Sequence, residues 1–302
     1  MYNLALYLIT IAIWGSTWIG IKYQIGVVPP LQSVAYRFLL AGLLMQIVLI
    51  ALGRLRWFTP AAHMQFVVLG ASLFCWNYAL MYLATETGLT TGLIAVLFSA
   101  LITMNILNSA LFFGERPQGF VLLGAATGLI GISLLFAEDI AALSENPGLL
   151  HGILFVVAGT YLASLGNMMS KRLQRQGMNV TATNGWSMTY GGLMLLAVIL
   201  VLPEPLTFDP SPSYVITLVL LAVFGSLVAF WSFLTLLGRV GAERAAYAMI
   251  VFPIWALILS SMFEGFTWSP LKLAGVAVVL LGNLIVSGRL RLRRRAILPT
   301  PT

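Results

Sequence analysis

Arg37 stands about two turns inside an apolar run, 31–52, that holds no other charge. A charge at such depth in a bilayer is costly and often functional. Its guanidinium can grip a carboxylate, snorkel toward the interface or tie helices together. Aromatic and amide residues sit at comparable depths in other apolar runs. Gly15, Ser16 and Gly20 give one run a small face, beside Trp14 and Trp18. Trp76, Asn77, Tyr78 and Tyr82 form a second group, and Trp231 lies far along the chain. Ser99, Asn105, Asn108, Tyr161, Ser164 and Asn167 are further polar groups, each of which is better placed bonding a neighbouring helix than facing lipid. Pro253 removes a backbone donor inside an apolar run and is expected to kink or break that helix near 249–253. These residue types bind and pass a solute: aromatic rings give broad contact with few directional demands.

The residues needed for other chemistry are missing. No Asp or Glu stands at the centre of an apolar run, since Glu115, Glu243 and Glu264 all fall at ends. A proton-coupled antiporter that swaps proton for substrate at a buried carboxylate is therefore not expected. There is no phosphate-binding glycine loop, no Ser/His/Asp set and no metal-ligand motif, so neither an enzyme nor a cofactor is expected. Cys75 is the single cysteine, which excludes an internal disulfide. His63 and His151 start runs on opposite sides, which argues against a shared metal site.

The elements that must carry these groups are ten apolar stretches: 4–21, 31–52, 63–82, 90–113, 118–136, 149–170, 180–201, 213–236, 244–263 and 270–287. Each approaches the ~20 residues that cross a bilayer core. The chain is 60% hydrophobic and 8% charged, outside the range of soluble domains. With alternating loops, one side collects Arg54, Arg56, Arg116, Lys171, Arg172, Arg175, Arg239, Arg244, Arg289, Arg291, Arg293, Arg294 and Arg295. The other side holds Lys22 and Lys272. Basic loops are cytoplasmic, so both termini are expected inside, although Lys22 after the first helix points the other way. The net charge of +7 then reflects topology on an anionic leaflet rather than nucleic-acid binding. Residues 4–21 lack a basic start and a following Ala-x-Ala site, and read as a retained helix rather than a signal peptide.

Ten helices divide into five and five, and an odd number per half inverts the second half. Leu83–Gly88 matches Leu236–Gly241, a register that pairs Tyr78 with Trp231. Phe113-Gly114-Glu115 resembles Phe263-Glu264-Gly265. Gly124 and Gly131 share their spacing of seven with Gly275 and Gly282. Inverted repeats of this kind occur in secondary transporters.

Trp14-Gly15-Ser16-Thr17-Trp18-Ile19-Gly20-Ile21-Lys22 resembles the first-helix signature of the EamA branch of the drug/metabolite transporter superfamily. Arg37, Tyr78-Ala79-Leu80, Gly114-Glu115-Arg116-Pro117, Pro253 and Glu264 follow in the order that family shows. Two features depart from it: the fourth helix lacks a proline, and the second half has no Trp-Gly-Ser. The resemblance implies a metabolite exporter, most like the bacterial aromatic amino-acid exporters. It also implies a structural Arg37, because members with other substrates carry an Arg there.

The expected protein is an all-α integral membrane protein with ten transmembrane helices in two inverted five-helix repeats, 1–137 and 148–288, and a basic cytoplasmic tail, 289–302. Its expected task is export of amino acids from the cytoplasm across the inner membrane, by alternating access through a central cavity. The alternatives are export of another small metabolite or drug, or a membrane scaffold that transports nothing. The expected substrate path comprises Trp14, Asn77, Tyr78, Tyr82, Ser99, Tyr161, Trp231 and Pro253, with Arg37 as a structural or carboxylate contact. The charge bias predicts opposite readings from topology reporters fused after Arg295 and within 138–146; an external reading after Arg295 would overturn the helix count.

Overall fold

The computed structural model describes residues 2–115, 119–137, 148–240 and 242–286, with backbone alone at 234, 237, 238, 240 and 242–247. The basic tail from 289, Arg116, and the acidic loop with Glu138, Asp139 and Glu145 lie outside the described residues.

The first half holds α1 (Tyr2–Lys22), α2 (Pro30–Ala51), α3 (Pro60–Glu86), α4 (Thr91–Phe113) and α5 (Gly119–Leu135). The second holds α6 (Gly148–Arg175), α7 (Val180–Val201), α8 (Pro212–Leu220 continuing through Leu221–Val228 and Ala229–Val240), α9 (Ala242–Phe263) and α10 (Pro270–Val286). Seven helices among the described residues are long and apolar enough to span a bilayer. The apolar helices Gly119–Leu135, Ala248–Phe263 and Pro270–Val286 are shorter. Starts follow local chemistry. Thr59 accepts from the Ala62 amide ahead of Pro60, Asn179 from Thr181 and Ala182, and Ser211 from Tyr214 ahead of Pro212. Gly114 ends α4 in the left-handed region at φ 66°.

α6 runs to Arg175 rather than to 170, and the basic residues of its last turns face Glu115. Glu115 Oε1 and Oε2 accept from Lys171 Nζ at 2.8 and 2.7 Å, and Oε1 accepts from Arg175 Nη2 at 2.6 Å. The hydrogen bond from Lys171, with Arg175 beside it, holds the Glu115 carboxyl below the ordinary carboxylate value.

The two halves pack as inverted copies. α2 lies against α7 and α5 against α10; α1 meets α8 and α9 as α6 meets α3 and α4. The self-paired contacts depend on glycine. A Cβ at Gly42 would stand 2.5 Å from Thr189 Oγ1. In α5 and α10, the shared seven-residue spacing interlocks in opposite directions. A Cβ at Gly131 would lie 2.5 Å from Val279 N, and one at Gly124 would lie 2.8 Å from Gly282 O.

Two segments depart from α winding, and they are repeat-related. Gly70–Trp76 in α3 and Leu221–Val228 in α8 are π-helical. Each lies where its helix crosses a helix of the other half, α3 on α7 and α8 on α2. A single extra residue held in a wide turn is a frequent mark of a functional site.

Gly131→Leu and Gly275→Leu should each lower the melting temperature in detergent, by a destabilisation of about 1–3 kcal/mol. Gly119→Ala, where nothing lies within 4 Å, should leave it unchanged.

Candidate functional site

Arg37 is fully buried. Its side chain does not snorkel outward; it faces the meeting point of α1, α2, α3 and α8. Its guanidinium carbon lies 4.6 Å from the centroid of the Tyr78 ring and 5.2 Å from that of Phe38. A Cβ on Gly225, in the π segment of α8, would stand 3.1 Å from Arg37 Nη2 and 2.6 Å from Thr17 Cγ2. The missing side chain at Gly225 is what leaves room for the charge.

No acceptor among the described residues meets Arg37 Nε, Nη1 or Nη2 in hydrogen-bond geometry. The Tyr82 hydroxyl lies near the guanidinium without meeting that geometry, and donates instead to Gln24 Oε1 at 2.6 Å. Thr17 Oγ1 donates to the Trp14 carbonyl at 2.7 Å. Aromatic faces offset part of the cost, at about 2 kcal/mol each when desolvated. A guanidinium has five N–H donors, and leaving each unmet costs about 1–3 kcal/mol. The rings alone therefore do not balance the buried charge.

An aromatic chain leads away from Arg37 across the two halves. Tyr78 meets Phe38 at 4.7 Å between ring centroids, Phe38 meets Phe74 at 5.4 Å, Phe74 meets Phe230 at 5.7 Å, and Phe230 meets Trp14 at 5.6 Å. Phe74 lies inside the α3 π segment, and Phe230 stands just past that of α8. The sequence pattern pointed to Trp14, Tyr78 and Tyr82 in this region and missed Phe38, Phe74, Phe230 and Gln24.

The remaining expected residues fall elsewhere. Trp231 is 53% exposed, on the face of α8 opposite the buried Ala229, Ser232 and Leu236. Counting from the π segments explains the difference: Tyr78 is two residues past Trp76, and Phe230 is two past Val228. The inward partner of Tyr78 is thus Phe230, one residue before the expected Trp231. Tyr161 is 45% exposed, whereas Thr160, Ala163 and Ser164 of α6 are buried. Asn77 is buried and its Nδ2 donates to the Leu73 carbonyl at 3.2 Å, while its backbone carbonyl faces Gly159 of α6. Ser99 accepts from Asn283 Nδ2 at 2.9 Å and so ties α4 to α10. Asn108 and Asn167 donate to Ser164 and Asn105 and tie α4 to α6.

α9 continues through Pro253 to Phe263 instead of breaking there. Pro253 is buried, and the adjoining Phe252 carbonyl lies against Gly15. Trp255 Nε1 donates to Ser16 Oγ at 3.0 Å. Gly15 and Ser16 thus seat α9 on α1, while Trp14 turns its ring toward α8.

Glu264 stands at a helix end, as its position suggested, yet its side chain is only 2% exposed. Its Oε2 accepts from Thr91 N at 2.9 Å and Thr91 Oγ1 at 2.7 Å, at the start of α4. Lys22 Nζ lies 3.6 Å from its Oε1. A carboxylate suits a helix N-terminus. Glu115, its repeat counterpart, is 45% exposed.

Residues 2–137 and 150–288 each match the model of the EamA-like transporter family. The inner membrane transporter YedA of Escherichia coli strain K12, itself described as uncharacterized, is 27% identical over 91% of this chain and 87% of its own. A protein of Salmonella typhimurium named "Probable amino-acid metabolite efflux pump" is 24% identical over 96% of both chains. A crystal structure with a TM-score of 0.67 and 20% identity covers 97% of this chain and 98% of its own, and is alike in fold. Two matched segments that together span nearly the whole sequence, on ten helices among the described residues that pack as inverted halves, make the chain a member of the EamA-like transporter family.

Proposed function

We propose that the protein exports amino acids, aromatic ones among them, from the cytoplasm across the inner membrane by alternating access. The observation that carries this reading is the aromatic chain from Trp14 through Phe230, Phe74 and Phe38 to Tyr78, which crosses between the halves at their π segments. Rings contributed by four helices offer apolar contact to a flat or branched side chain and can slide past one another as the halves move. The name of the Salmonella relative favours the same substrate class. In this reading the units 1–137 and 148–288 rock about the α2–α7 and α5–α10 contacts, and the termini face the cytoplasm. Tyr82 lines the path at the external end, beside Gln24. The buried Pro253 lies within the α1–α9 contact and supplies a hinge.

Purified protein in liposomes preloaded with unlabelled amino acid should exchange radiolabelled phenylalanine, tyrosine or tryptophan. Trp14→Ala and Phe230→Ala should each slow exchange about tenfold or more with an unchanged size-exclusion profile. Trp231→Ala should transport at the parent rate. Absence of exchange for every amino acid in a full panel would remove this reading.

A further inference from the structure

We infer that Arg37 receives the carboxylate of the transported solute, an inference that rests on the export reading above and names the chemistry its site selects. An arginine that ties helices together shows its acceptors. Arg37 shows none: its three nitrogens lack hydrogen-bond partners among the described residues, and it forms no ion pair with a described carboxylate. The neighbouring Thr17 and Tyr82 hydroxyls donate to the Trp14 carbonyl and to Gln24, and neither oxygen meets the guanidinium in hydrogen-bond geometry.

What remains unmet here consists of donors. Gln24, which accepts from Tyr82, keeps its own Nε2 buried without a partner. The unmet atoms of Arg37 and Gln24 are thus all N–H donors, which suits a ligand group that only accepts. An ionised carboxylate is such a group, and it fits the planar fork of a guanidinium with two parallel hydrogen bonds. The aromatic faces of Tyr78 and Phe38 hold the guanidinium flat from the sides. Gly225 borders Nη2, so a carboxylate there would touch the π segment of α8 as well as α2 and α3. The bound group would thereby join both halves at the place where they cross.

The test uses the full chain in detergent and in liposomes, with L-phenylalanine, 3-phenylpropionate, phenethylamine and sodium chloride as probes. The two carboxylates should raise the melting temperature, and should compete with labelled phenylalanine in exchange. Phenethylamine, which has the ring without the carboxylate, should compete at least tenfold less well. Arg37→Gln should abolish that discrimination, and Arg37→Lys should keep part of it. The probe series on the parent protein stands even if Arg37→Gln fails to fold. Equal competition by phenethylamine would overturn the inference while leaving amino-acid export intact. A melting response to chloride equal to that of 3-phenylpropionate would assign Arg37 to inorganic anions and also overturn it. No exchange of any amino acid, with phenylpropionate still stabilising only the protein that carries Arg37, would overturn the export reading and keep the carboxylate site.

Discussion

Two helices in a bilayer gain no hydrophobic energy by touching, since lipid tails are as apolar as leucine; they hold together by close packing and by polar contacts. The close contacts here are made where one half crosses the other. Gly42 admits Thr189, Gly70 admits the Ser187 carbonyl, and Gly124 and Gly131 admit the backbone of α10. With side chains removed from the crossing, backbone meets backbone, and the dispersion contacts of whole helical turns replace those of lipid. Everything nearer the axis is set by that approach distance: the span from Phe74 to Phe230, the room beside Gly225, and the depth at which Arg37 is enclosed.

Polar groups follow the same logic. Most buried ones bridge helices, as with Asn283 and Ser99 or Asn108 and Ser164, so each finds inside the protein the partner that lipid would deny it. The two repeat-related carboxylates do this unequally. Glu264 is enclosed by Thr91 and Lys22, whereas Glu115 meets its two cations on an open surface. An exposed pair of that kind adds little; an enclosed one fixes the start of α4 against the end of α9.

The helix count and the two-half organisation could be read from the sequence because they depend on hydropathy, loop charge and glycine spacing, which are one-dimensional. The inward faces could not. A membrane helix is apolar toward lipid and apolar toward its neighbours, so the amphipathic stripe that orients a helix in a soluble protein is absent. Trp231 and Phe230 are indistinguishable on that basis, and Tyr161 looks as much like a lining residue as Tyr78. The register itself was misled by the π segments, whose extra residue leaves no trace in composition. Arg37 was conspicuous as a charge in an apolar run, but whether it tied helices or awaited a ligand depended on acceptors that only the packed structure reveals. Glu264 was set aside as terminal; its enclosure depends on Thr91, 173 positions away.

The paired wide turns carry a consequence for motion. In an α-helix each residue advances the winding by about 100°. A π turn stores one residue of slack, so re-forming ordinary winding in Gly70–Trp76 would swivel the distal half of α3, with Tyr78 and Tyr82, by about that angle while every backbone amide kept a partner. The same holds for Phe230 beyond Leu221–Val228. A change of winding in either segment would therefore turn aromatic rings, Tyr78 beside the central arginine in one half and Phe230 beside Trp14 in the other, without opening the helix to lipid.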